Sequence, residues 1–126
     1  MAEEFDEEFE REYQEATRRG EEALRTEPRA KKAFYDAKKD RVVIELLNDC
    51  TFIVPPRLVQ GLRDATREQL SNIRIMPFGF ALDWTDLDVQ HEVKTLLRGM
   101  FGNKRWMAQI ADEANGKSRR PSKKVA

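Results

Sequence analysis

Phe5, Phe9, Tyr13 and Ala16 recur at intervals of four or three, with Glu and Arg filling most positions between them. That spacing draws a narrow apolar stripe down one face of a helix and predicts a helix over roughly residues 3 to 19. Gly20 loosens it, and Glu27-Pro28 opposes continuation past Thr26, because the residue before a proline is pushed out of the α region. Three uses of this helix stay open: packing on its own domain, binding a partner, or standing off as a frayed arm.

From Lys32 the period changes. Ala33 to Ala37 and Arg41 to Leu47, separated by Lys38-Lys39-Asp40, read as two strands and a short turn. Asn48-Asp49 forms a second turn, and Cys50-Thr-Phe-Ile-Val54 is a run of β-formers that predicts a third strand. Pro55-Pro56 ends this meander, since neither residue can donate a ladder hydrogen bond. Arg57 to Leu62 reads as a helical turn and Thr66 to Leu70 as another, with Thr66 and Gln69 at the spacing of a capping box. Ile73 to Met76 and Phe80 to Trp84 predict a second hairpin turned by Pro77 to Gly79. Helical spacing then returns at Val93, Leu96, Leu97 and Met100, and Lys104 to Asn115 extends as an amphipathic helix with Trp106, Met107 and Ile110 on one side. Residues 117–126 carry no apolar periodicity, and disorder is expected there.

The fold class this pattern implies is α+β. A small antiparallel sheet, made of a three-stranded meander plus a second hairpin, packs with short helices and is flanked by N- and C-terminal helices. Three segments follow: an acidic amphipathic arm at 1–28, an α+β core at 29–102, and a C-terminal helix with a basic disordered tail at 103–126. At 126 residues with 40% hydrophobic positions there is material for one core, not two.

Charge changes the picture. The formal net charge is zero, yet residues 1–27 hold 11 acidic and 4 basic side chains, residues 28–102 hold 10 and 12, and residues 103–126 hold 2 and 7. An acidic head and a basic tail therefore flank a near-neutral middle, a polarity that suits arms touching a charged partner or each other. Lys117, Arg119, Arg120, Lys123 and Lys124 fall within eight residues. Each cation can release counterions by contacting a phosphate, so salt-dependent DNA binding with little sequence reading is one expectation for the tail. A solubilising terminus and a segment that folds on an acidic partner are the others.

Candidate chemistry is sparse. Asp83, Asp86 and Asp88 with the lone His91 could in principle pair acid with base or hold a hard cation. Asp88, however, sits where a helix N-cap is wanted, and His91 falls in the first turn that follows, so capping is the expected role. Cys50, alone in the sequence, excludes an intramolecular disulfide and reads as a small core residue in its strand. Trp84 and Trp106 are expected to pack. No Gly-rich phosphate loop and no paired nucleophile and base are present. The expectation is a protein that is not an enzyme and needs no cofactor or metal. Neither a secretion signal nor a membrane span is apparent, which with the single cysteine points to the cytoplasm.

The stretch from about Lys32 to Gly102 resembles the small bacterial family catalogued as domain of unknown function 2442. The resemblance rests on Arg41-Val-Val-Ile-Glu-Leu, Phe52-Ile-Val-Pro-Pro-Arg-Leu-Val-Gln-Gly-Leu, the small helix Ala65 to Leu70, Trp84-Thr-Asp-Leu-Asp-Val and Leu96-Leu-Arg-Gly-Met-Phe-Gly102, in that order. It implies a small α+β fold, no established catalytic activity and frequent encoding beside another small protein, as in toxin and antitoxin pairs. Such proteins often end in a Trp-Met helix and a tail with Asn-Gly-Lys and a Gly-Arg-Pro-Arg-Lys-like motif. Here Trp106-Met107 and Asn115-Gly116-Lys117 match. Arg119 stands where a glycine is expected and Ser122 replaces the next basic residue. The resulting expectation is an antitoxin-like regulatory protein. It would hold a protein partner, such as a toxin-like neighbour, through its core and flanking helices, with Phe5, Phe9, Tyr13 and Trp106 as the contact residues, and touch DNA through its tail. The alternatives are a module of a larger assembly without nucleic acid, and a homo-oligomer.

Overall fold

A computed structural model describes residues 2–116, with side chains from Asp6 onward. Its first element is a single helix, α1 (Ala2–Thr26). The helix does not stop near Gly20, because Ala23 and Leu24 resume the apolar stripe and favourable helix formers surround the glycine. Pro28 ends it, as expected.

The meander forms with β1 (Ala30–Asp36), β2 (Arg41–Leu46) and β3 (Thr51–Val54) in that order, antiparallel throughout. Register explains its inner face. Tyr35, Val42 and Val54 lie in one cross-strand row, and Ala33, Ile44 and Phe52 in the next. Val42, Ile44, Leu46 and Val54 are buried. The β1–β2 register shifts between Ala30 and Lys32. The extra residue lets Ala30 face the core while Lys31 and Lys32 both stay in solvent.

A turn at Pro56–Leu58 leads to α2 (Arg67–Ser71), where the capping box is complete. The Thr66 hydroxyl accepts from the Gln69 amide at 3.1 Å, and the Gln69 side chain accepts from the Thr66 amide at 2.9 Å. The second hairpin gains a strand: β4 (Ile73–Ile75), β5 (Ala81–Trp84) and β6 (Val89–Glu92) make another three-stranded antiparallel sheet. Asp88 therefore caps no helix. It occupies the β5–β6 turn with a left-handed φ of 53°, and His91 lies on β6 opposite Leu82. Cross-strand pairing claimed these residues because Trp84 and Leu82 need Val89 and His91 over their ladder. Helical spacing begins only at α3 (Val93–Leu97), and α4 (Lys104–Ala114) closes the described chain.

The core lies between the two sheets, where β1 packs against β4 and α2. Val59, Leu62, Leu70, Leu82, Trp84, Val93 and Leu96 join the meander's inner face. Two glycines make the close joins possible. Gly79 has φ +80°, and a Cβ there would meet the Ala30 carbonyl oxygen at 2.4 Å. Gly61 has φ +91° and presses on Val89, 2.7 Å from where its Cβ would be. Gly20 differs: a Cβ there meets nothing within 4 Å, although glycine inside a helix costs about 1 kcal/mol relative to alanine.

Candidate partner-binding surfaces

Within the described residues, each one singled out by sequence has a definite place. The acidic candidates are dispersed. Asp83 is 7% exposed and bonds the Arg74 guanidinium across the β4–β5 ladder at 2.9 Å. Asp86 accepts from the Asn72 side chain at 3.0 Å. His91 Nε2 lies 2.9 Å from the Gln60 carbonyl oxygen, which can only accept, so this nitrogen carries the proton. The His91 ring meets Trp84 edge-on with centroids 6.1 Å apart. No group of three or more His, Cys, Asp or Glu able to hold a metal occurs among the described residues. Cys50 is exposed, outside β3 rather than in the core, because the Asn48-Asp49 turn extends through it. Its amide donates to the Asn48 side chain at 2.9 Å.

Trp106 is engaged within the chain. Its indole Nε1 donates to the Leu58 carbonyl at 2.8 Å, and the Arg63 guanidinium stacks over the ring at 4.6 Å. Arg63 in turn grips Glu113 through two bonds of 2.9 and 2.7 Å, so α4 is held at both ends of its inner face. Gln60 completes the latch by accepting from the Asn103 amide at 2.9 Å and donating its own amide to Phe101. Gly102 sits beneath this junction, where a Cβ would lie 2.6 Å from both Gln60 and Trp106.

α1 is the opposite case. Every described side chain from Asp6 to Glu22 is exposed, and Phe9 and Tyr13 are 61% and 64% exposed. The reading of this helix as packed on its own domain is thus excluded for the part that carries these aromatics. The Phe5 side chain lies outside the described residues, as do Lys117, Arg119, Arg120, Lys123 and Lys124.

Sequence reasoning missed a second apolar surface. Phe34, Val43 and Ile53 lie in one register row on the outer face of the meander, and Ile53 is 55% exposed. Lys32 stands 5.2 Å from the Phe34 ring centroid. The unbroken Val-Val-Ile run of β2 concealed the alternation that would have revealed this face.

Fold and surfaces together define a class: a small α+β core with two three-stranded sheets, a latched C-terminal helix and an unpartnered N-terminal helix. The chain belongs to the family described as protein of unknown function (DUF2442), whose model matches residues 31–102. Both α1 and α4 fall outside that matched region. A crystal structure of a protein of unknown function from Rhodospirillum rubrum is 48% identical, with a TM-score of 0.63, over 65% of this chain and 99% of that one. The solution structure of an uncharacterized protein from Chromobacterium violaceum is 29% identical, with a TM-score of 0.65, over 75% and 87%. No curated protein matches the chain. Among the described residues, no helix is long and apolar enough to cross a membrane.

Proposed function

We propose that this is a non-catalytic binding protein whose core serves as a rigid mount and whose α1 engages a protein partner. The observation that carries the reading is the exposure of Phe9 and Tyr13, 61% and 64%, on one face of a 25-residue helix. Large aromatics aligned in solvent mark recognition surfaces, because desolvating them drives association. The engagement of Asp83, Asp86, His91 and Trp106 in internal bonds supports the non-catalytic part. An antitoxin-like role makes that partner the product of an adjacent small reading frame. Co-purification of the two products tests it: Phe9→Asp abolishes capture with an unchanged melting temperature, and retained capture refutes α1 as the arm.

A second reading adds DNA, favoured by the five cations of the tail within eight residues. Gel shifts at rising salt then show binding by the full chain that a chain ended at Asn115 lacks. Equal binding by both removes the tail from the function.

A further inference from the structure

We infer that the outer face of the meander packs on the same face of a second copy, about a two-fold axis along the Phe34–Val43–Ile53 row. The inference goes beyond the reading of α1, which it leaves free for a partner of its own. Alternation along the strands sends Val42, Ile44, Leu46 and Val54 to the core, so the residues between them stand on the opposite face. That face has three rows. Phe34, Val43 and Ile53 form the middle one; Lys32, Glu45 and Thr51 lie to one side, Asp36 and Arg41 to the other. Phe34 and Ile53 are 37% and 55% exposed. The base of α1 is tied to the core side, where Glu27 meets Lys94 at 3.4 Å and Arg29 donates to the Phe78 carbonyl at 3.4 Å, away from this face.

Charge selects the occupant and its orientation. Each flanking row holds one cation and one anion, and the two rows place them on β1 and β2 in opposite order. Rotation about the apolar row reverses the strands and lays one flanking row over the other. Lys32 then meets Asp36 of the second copy, Glu45 meets its Arg41, and the symmetry repeats both pairs. Every charge in the ladders of this face thereby finds the opposite sign. Turning the copy about an axis along β2 instead sets Glu45 on Glu45 and Arg41 on Arg41. Among the described residues none of these four side chains forms an ion pair within the chain, although the register sets Lys32 opposite Glu45 and Asp36 opposite Arg41.

At the rims, the end that carries Lys31 and Asp49 meets the turn that carries Lys38, Lys39 and Asp40. Both are of mixed sign, so no block of like charge opposes another. Sheets packed face to face lie about 10 Å apart and are turned by roughly 30°, a gap that facing Lys, Arg and Glu side chains span. The face is small. Three strands about 4.8 Å apart and five residues at about 3.4 Å each give roughly 400 Å² of accessible surface per copy, at the lower limit for a specific contact. The dimer is therefore weak and reversible, and it presents two α1 arms on one particle.

Sedimentation equilibrium of the full chain from about 10 µM to about 1 mM shows a monomer–dimer equilibrium, and Ile53→Asp stays a monomer throughout. Ile53→Thr, which keeps a β-branched residue in β3, weakens the dimer several fold. In nuclear magnetic resonance spectra of the unaltered chain, the signals that move with concentration cluster on Phe34, Val43 and Ile53. Lys32→Glu combined with Glu45→Lys is the decisive variant. It keeps the net charge and the opposite signs across β1 and β2, yet sets like charges at every charged contact between copies, and it weakens the dimer by about tenfold or more. A dimer indifferent to that exchange overturns the register. A chain that is monomeric at the highest concentration, or shifts confined to the β3 edge or to α1, overturns the pairing of faces. Far-ultraviolet circular dichroism of each variant confirms that the core remains folded.

Discussion

Removing the Trp106 indole tests whether this residue holds α4 or meets a partner. α4 has 11 residues, too few to persist alone in water, so its helicity depends on docking. Trp106→Ala deletes the 2.8 Å bond to Leu58, worth about 1 kcal/mol net, and the guanidinium stack, worth about 0.5–1 kcal/mol. It also returns on the order of 100 Å² of apolar surface to water, about 2.5 kcal/mol. The sum is about 4 kcal/mol, but the loss is capped by the docking free energy of α4, since the helix can detach while the core stays closed. Trp106→Phe keeps a ring under Arg63 and gives up chiefly the N–H bond, about 1 kcal/mol. Native-state hydrogen exchange reads the difference: α4 amides lose protection in proportion, and Val42, Ile44 and Leu82 amides do not. Fluorescence of the remaining buried Trp84 reports global unfolding in urea. Equal effects of the two variants, or α4 protection unchanged within about 0.5 kcal/mol in Trp106→Ala, would refute the latch.

Gly61→Ala places a methyl at φ +91° and against Val89, so it costs about 2–4 kcal/mol in urea denaturation; under about 1 kcal/mol the join is looser than described. Phe78 is 67% exposed yet holds a left-handed φ of 66°, so Phe78→Gly relieves backbone strain and raises stability by about 1 kcal/mol, unless a lower melting temperature shows that its ring is needed. The Tyr35 hydroxyl donates to Asp40 at 2.7 Å, and that bond, with burial and the Asp40 charge, raises the phenol above its ordinary 10.0. The folded state therefore holds this proton more tightly. The contribution is whole below pH 10 and falls as pH rises through the folded value, and Tyr35→Phe removes that part of the alkaline slope in urea midpoints measured from about pH 9 upward.

Much of this architecture can be read from local pattern. Strand periodicity, the prolines after Val54 and the Thr66–Gln69 box are short-range signals, and each appears close to where the pattern puts it. The candidate sites were less legible. His91 carries helix-compatible neighbours on both sides, and only the need of β5 for a second partner strand puts it in a ladder. Cys50 sits among β-formers, but the turn needs its backbone more than the strand does. Trp106 offers the same indole to a core or to a partner. Only the approach of Leu58 and Arg63, both more than forty positions away, decides between them.

The sequence by itself determined the elements apart from β6 and the last turns of α1, their order, the acidic and basic ends and the seam of α1, because these depend on spacing within one or two turns or along one strand. Tertiary structure decided which faces are spent and which are left over: Trp106 and Asp83 were consumed, while Phe9, Tyr13, Phe34 and Ile53 stayed in solvent. The physical reason is that burial is a property of what arrives from elsewhere in the chain. An apolar stripe announces that something must cover it, and only the folded core shows that its own residues do not.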